Sequence, residues 1–202
     1  LRTIYSEDYP SSSLDGRRMA GTGDVDLDGV PDFLIGTPLA ANSSGEVTIV
    51  SGATGATIRT IANPTPGYTW FGTSVGNAGD CNGDGIPDQA ATLPYASVYR
   101  SMISVFSGAD GSLLWQTMGL IPFSFGWYLV GGGDLDGDGF DDLVTAEPNY
   151  RGPEGRYGAV HVLSGRDGSF LSSRYGDPDY VRYGWGLALL GDLDRDGRME
   201  IG

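Results

Sequence analysis

Four short segments of this chain concentrate carboxylates at a fixed spacing. Residues 24–32, 80–88, 134–142 and 192–200 all follow Asp-x-(Asp/Asn)-x-Asp-Gly-x-x-(Asp/Glu). Side-chain oxygens fall at positions 1, 3, 5 and 9, and a backbone carbonyl is expected at position 7. The first loop offers Asp24, Asp26, Asp28, the carbonyl of Val30, and Asp32. The second offers Asp80, Asn82, Asp84, the carbonyl of Ile86, and Asp88. The third offers Asp134, Asp136, Asp138, the carbonyl of Phe140, and Asp142. The fourth offers Asp192, Asp194, Asp196, the carbonyl of Arg198, and Glu200. Alternate residues of a tight loop turn their oxygens inward, and glycine at position 6 permits the sharp turn. A hard cation such as calcium takes roughly six to eight oxygens. Without one, carboxylates this close repel each other and are harder to ionise. The chemistry expected is therefore binding of calcium at four sites.

The opening Asp-x-Asp-x-Asp-Gly is shared with EF-hand and dockerin loops. An EF-hand needs a bidentate glutamate at position 12 and flanking helices. Position 12 here is Ile35, Ala91 or Thr145, and the flanks read as strands, so that reading fails.

The loops recur in phase with everything around them. Their first aspartates are 56, 54 and 58 residues apart. Nine residues before each stands Asp15-Gly16, Phe71-Gly72, Phe125-Gly126 or Tyr183-Gly184. After the first three come alternating strands closed by a glycine turn, EVTIVSGATG, MISVFSGADG and AVHVLSGRDG, and then a further strand at Ile58, Leu114 or Leu171. Period-two alternation between Gly, Asp, Asn and Pro boundaries marks strands. Each repeat thus reads as four antiparallel strands. That is a propeller blade; solenoid repeats are usually shorter. The fold class expected is all-β, built of about four such blades across residues 1–202. The chain opens on a fourth-type strand, Leu1 to Tyr5, and ends after a second-type strand, giving three complete repeats and a split fourth. It reads as a piece of a longer chain forming an open arc, with edges covered by the rest of the propeller or by another chain.

Composition narrows the function. The chain has 202 residues with 34 Gly and 11 Pro, which disfavours long helices. Hydrophobic residues at 40% are too many for disorder. No apolar run is long enough to span a membrane. A net charge of -14 rules out nucleic-acid binding by phosphate neutralisation. Positions 1, 3, 5 and 9 of the loops hold 15 of the 26 acidic residues. One cysteine, Cys81, provides no disulfide framework.

The combined motif resembles the FG-GAP repeat of integrin alpha-subunit propellers and related extracellular proteins. Phe71-Gly72 and Phe125-Gly126 are the FG element, and Tyr183-Gly184 is a variant of it. Gly36-Thr37-Pro38, Thr92-Leu93-Pro94 and Ala146-Glu147-Pro148 are degenerate GAP elements. The first repeat departs by carrying Asp15-Gly16, and the fourth loop by ending on Glu200. The resemblance implies a seven-bladed propeller in the parent protein, with calcium loops on one face and a protein or glycan ligand on the other. It also implies an extracellular or cell-surface location.

No catalytic set emerges. His161 aligns with Thr48 and Ser104 and is expected at an outward strand position. Cys81 aligns with Val25, Leu135 and Leu193, a small apolar slot beside the loop. Glu46, Glu147 and Glu154 remain as carboxylates for a glycosidase-type pair. Phe71, Phe125, Trp127, Tyr183 and Trp185 are expected in the blade core. Tyr95, Tyr99 and Arg100 in one loop, and Tyr150, Arg151, Arg156 and Tyr157 in the next, are residue types that suit a binding surface. The sequence therefore points to a non-catalytic adhesion or ligand-binding module, with a lectin or polysaccharide-lyase propeller as the alternative.

Overall fold

The computed structural model describes residues 18–97, 100–119, 124–152, 155, 157–177, 183–195 and 199–202. Three antiparallel sheets of four strands each follow one another along the chain. The first contains β1 (Met19–Gly23), β2 (Asp32–Thr37), β3 (Glu46–Val50) and β4 (Thr57–Ala62). The second contains β5 (Val75–Gly79), β6 (Asp88–Ser97), β7 (Arg100–Phe106) and β8 (Leu113–Met118). The third contains β9 (Leu129–Gly133), β10 (Asp142–Arg151), β11 (Tyr157–Leu163) and β12 (Phe170–Tyr175). Strands pair in sequence order within each sheet, which is the meander of a propeller blade. The first strands β1, β5 and β9 lie side by side, so they are the inner strands of neighbouring blades. The fourth repeat contributes a short ladder in which Leu189 faces Ile201. Leu1 to Tyr5 and Asp15-Gly16 lie outside the described residues.

Up-down pairing puts each acidic loop, between first and second strands, at one end of its sheet. The Ser-Gly turns between third and fourth strands share that end, and the hairpins between second and third strands lie at the other. At the mouth of each of the first three acidic loops the register slips, opposite Gly21–Gly23, Asn77–Gly79 and Gly131–Gly133. Such a bulge re-aims the chain as it leaves the inner strand.

The core lies between sheets. Val47 and Ile49 of the first blade meet Phe71, Leu93, Met102 and Phe106. Ile103, Val105 and Trp115 of the second meet Phe125, Leu143 and Leu163. Val144, Ala146 and Val160 of the third meet Leu187 and Leu189 of the fourth repeat. Alternation along β7 thus divides apolar residues between two interfaces, and both faces of the middle sheet are covered.

That stacking corrects one expectation. His161 is not outward: it is fully buried, as are Ser104 and, nearly, Thr48. Leu163, on the same face of β11, packs with Phe125 and Ile103, so this face meets the preceding blade. Alternation separates two faces of a strand, but in stacked sheets neither face is solvent.

Two further expectations change. The hairpins read as loops around Tyr95 and Tyr150 are strand: β6 and β10 each run ten residues, to Ser97 and Arg151. Register shifts between Leu93 and Ser97, and between Glu147 and Arg151, let pairing resume beyond an irregular stretch. Phe71 and Phe125 are core as expected, but Tyr183 and Trp185 are each 41% exposed. Phe71 is covered by Leu93 and Met102 of its own blade. The described residues of the fourth repeat offer no counterpart of the β7 residue.

Candidate metal centres

Each of the first three loops is first a hydrogen-bonded object. The position-1 carboxylate closes it with both oxygens. Asp24 accepts from the N–H groups of Asp28 at 3.0 Å and Gly29 at 2.8 Å. Asp80 accepts from Gly83, Asp84 and Gly85 at 2.7, 3.0 and 2.9 Å. Asp134 accepts from Gly137, Asp138 and Gly139 at 2.7, 3.2 and 2.9 Å. At positions 3 and 5, one oxygen accepts from the N–H two residues on: Asp26 from Asp28, Asn82 from Asp84, Asp136 from Asp138, then Asp28 from Val30, Asp84 from Ile86, Asp138 from Phe140. These are Asx turns, which make a tight loop from residues with short polar side chains.

Position 9 does something different. Asp32, Asp88 and Asp142 are buried. One oxygen of each accepts from the N–H of position 2, on Val25, Cys81 or Leu135, at 2.8, 2.9 and 2.8 Å. The other accepts from Gly52, Gly108 or Gly165 in the Ser-Gly turn, at 2.9, 2.8 and 3.0 Å. Glu200 keeps the first contact, to the N–H of Leu193 at 2.6 Å. The ninth residue therefore pins its loop to the turn after the third strand. A carboxylate has about four lone-pair sites, so these bonds leave capacity for a cation.

The structure brings positions 1, 3 and 9 together. Oxygens of Asp24, Asp26 and Asp32 lie within 4.8 Å of one another, as do those of Asp134, Asp136 and Asp142, and those of Asp192, Asp194 and Glu200. That separation suits donors arranged around one cation at about 2.3–2.6 Å each. Position 5 is not part of these trios. In the second loop Asn82 replaces the third carboxylate, and its amide bonds Asp84 at 2.9 Å. Asp196 and Arg198 lie outside the described residues.

Electrostatics fit the same reading. Burial pushes Asp88 up to about 6, against the N–H bonds from Gly108 and Cys81, with Asp84 and Asp80 adding repulsion. Burial likewise raises Asp142, and raises Asp26 together with repulsion from Asp32 and Asp28. Burial also acts on Asp134, but N–H donors led by Gly139 and Gly137 outweigh it and hold that carboxyl low. A divalent cation would relieve the repulsion at Asp88, Asp142 and Asp26.

The sequence reading missed the second half of each site. Gly52, Gly108 and Gly165 donate to position 9, and they also lie against the position-8 backbone. A β-carbon on them would stand 2.0, 2.2 and 1.8 Å from the carbonyl oxygens of Pro31, Pro87 and Asp141. The Ser-Gly pair recurring after every third strand was the available signal.

The remaining singled-out residues are structural here. His161 bonds Ser173 at 2.8 Å and Glu147 at 3.2 Å, a polar row across β12, β11 and β10. His161 and Glu147 are both fully buried, which takes Glu147 out of a solvent-facing carboxylate pair. Glu46 starts β3 in the first blade, and Glu154 lies outside the described residues. Cys81 is buried, and its thiol, pushed well up by burial and neighbouring aspartates, bonds the carbonyls of Ala78 and Asp141. At the opposite end, Tyr150 packs on Tyr175 with centroids 5.2 Å apart, and Arg151 lies 5.9 Å from the Tyr157 ring. Arg100 is exposed. Tyr99, Arg156 and the side chain of Tyr95 fall outside the description.

Position 4 of the loops yields a prediction. It is left-handed throughout: Gly83 at φ 75°, Gly137 at 85°, but Leu27 at 60°. Leu27 is also 65% exposed and has little packing to lose. A left-handed non-glycine residue costs about 1–2 kcal/mol, and extra unfolded-state entropy of glycine offsets part of the gain. Leu27→Gly should therefore stabilise the protein by roughly 0.5–1 kcal/mol. An unchanged or lower urea midpoint would contradict this account of the loop.

Comparison with known proteins gives a consistent picture. The FG-GAP repeat family model matches residues 18–50 and 125–163. Integrin alpha-V of Gallus gallus is 32% identical over 140 residues, covering 66% of this chain and 13% of that protein. Integrin alpha-4 of Xenopus laevis is 31% identical over 148 residues, covering 66% and 14%. Integrin alpha-PS2 of Drosophila melanogaster is 31% identical over 201 residues, covering 87% and 14%. The chain thus spans only a small part of these relatives. Among solved structures, a rhamnogalacturonan lyase of Bacillus licheniformis matches at 15% identity and a TM-score of 0.34, covering 69% of this chain and 32% of the lyase.

Proposed function

Because this chain belongs to the integrin-like FG-GAP repeat family, we propose that it is a calcium-binding, non-catalytic β-propeller module used for adhesion or ligand binding outside the cell or at its surface. The observation that carries this is the repeated carboxylate trio at positions 1, 3 and 9, in phase with the blades. Four calcium ions bind, one per loop, completed by position 5 and the carbonyls of Val30, Ile86, Phe140 and Arg198. The 202 residues form an open arc of about four blades, part of a larger, seven-bladed propeller. The rest of that propeller or another chain covers the open edges. The ligand, a protein or a glycan, sits at the end opposite the acidic loops.

In this reading the ion stabilises the fold by holding the loop that joins the first and second strands of a blade. Ions that bind the folded loops and not the unfolded chain stabilise by mass action, by about 2.7 kcal/mol per site at a hundredfold excess over Kd. Calcium should therefore raise the melting temperature well above its value in chelator. Superimposable melting curves in calcium and chelator would remove the proposal. A glycan array and an activity screen on acidic polysaccharides separate an adhesion module from a carbohydrate-active one.

The sites should differ in strength. At positions 1, 3, 5 and 9 the second loop carries three carboxylates where the others carry four. Affinity in all-oxygen sites rises with ligand charge. Asn82→Asp is expected to tighten calcium binding at that loop, read by isothermal titration. Weaker binding in the variant would mean that the Asn82 amide serves the site better than a charge.

A further inference from the structure

We propose that Asn42 is an acceptor for N-linked glycan. Asn42-Ser43-Ser44 is the one Asn-x-Ser/Thr triplet in the chain whose middle residue is not proline. That triplet marks an acceptor on a surface loop of a secreted protein. The proposal rests on the extracellular reading above.

The structure shows why this asparagine is presented. It sits between β2 and β3, at the end of the first blade opposite its acidic loop. Ala41, Asn42 and Ser43 are all left-handed, with φ of 50°, 57° and 66°. Asparagine is among the few residues that visit this region readily. The turn is fixed by its backbone. Gly45 donates to the Ala40 carbonyl at 3.0 Å, while the Ser43 and Ser44 carbonyls accept from Trp70 at 2.9 Å and Phe71 at 3.1 Å in the next blade. With the main chain tied into the blade junction, the Asn42 side chain is exposed and has no hydrogen-bond partner among the described residues.

Asn63 makes the contrast. It lies in Asn-Pro-Thr, and its side chain is fully used. Its amide donates to the carbonyls of Ser44 at 3.0 Å and Tyr68 at 2.9 Å, and its oxygen accepts from Thr65 at 2.9 Å.

The transfer forms a bond from Asn42 Nδ2 to C1 of a sugar. The donor is an oligosaccharide linked to a polyprenyl diphosphate. The C1–O bond breaks, the diphosphate leaves with the electron pair, and the amide gives up one proton to the transferase. The attached glycan stands beside Trp70, itself 40% exposed, and shields the junction of the first two blades.

The test is secretion of the full chain from a eukaryotic host behind an added export signal. One occupied site is expected, its mass shift removed by peptide-N-glycosidase, which leaves aspartate at position 42. The shift should vanish in both Asn42→Gln and Ser44→Ala, and persist in Asn63→Gln. Secreted wild-type protein at the bare peptide mass would overturn the proposal, as would a shift that survives both triplet variants. Protease accessibility on intact cells of the source organism tests the extracellular reading separately.

Discussion

Asp142→Ala is expected to lower the unfolding free energy by about 3 kcal/mol or more, even with no calcium present. The carboxylate is buried and satisfies two backbone donors, the N–H groups of Leu135 and Gly165. Alanine leaves both without an acceptor. Each unsatisfied buried donor costs about 1–3 kcal/mol. The change also releases the third acidic loop from the turn that follows β11, so the entry to β10 loses its anchor. Urea unfolding in chelator isolates this from metal binding. A variant as stable as wild type in chelator, but less stable in calcium, would show that Asp142 acts only through the ion. Asp138→Ala provides the comparison. Asp138 accepts only a local N–H on the exposed loop, so its loss should be small in chelator and appear mainly in calcium.

Gly165→Ala should be at least as damaging, on the order of 3–5 kcal/mol, in the range reserved for core overpacking or lost networks. Its β-carbon would stand 1.8 Å from the Asp141 carbonyl oxygen and 3.2 Å from Cys81 Sγ. The closer neighbour is backbone, so no flexible side-chain end can yield. Relief requires the turn to move away from the loop, which breaks the Gly165 N–H bond to Asp142. It also disturbs the Gly165 carbonyl, which accepts from the Trp115 indole of the preceding blade. One methyl group thus strains a loop closure and a blade junction together. Gly21→Ala is the control: Gly21 is an exposed strand glycine with nothing within 4 Å of its added β-carbon. It should stay within about 0.5 kcal/mol of wild type. Equal losses for the two variants would mean that the close approach at Gly165 is not what requires glycine.

The sequence alone was enough to place the repeats, because a propeller blade is local in sequence. Its four strands are consecutive, its turns are short, and the acidic loop joins neighbours, so Gly, Asp and the strand alternation mark every boundary within some fifty residues. The gathering of the Asp24 and Asp134 oxygens with those at positions 3 and 9 was legible for the same reason: groups drawn from one nine-residue loop need no tertiary knowledge to be brought together. What the tertiary structure decided came from contacts between strands and sheets that spacing does not encode. His161 was misread because alternation distinguishes two faces without saying that a neighbouring blade covers the second. Tyr183 and Trp185 share the motif of core aromatics, but burial depends on what packs over them, and there they stay exposed. Position 9 was read as a ligand from its place in the loop, whereas its hold on Gly52, Gly108 or Gly165 joins residues some twenty positions apart. Only folding brings that turn under the loop, where a buried carboxylate must find donors and a β-carbon would find none of the space it needs.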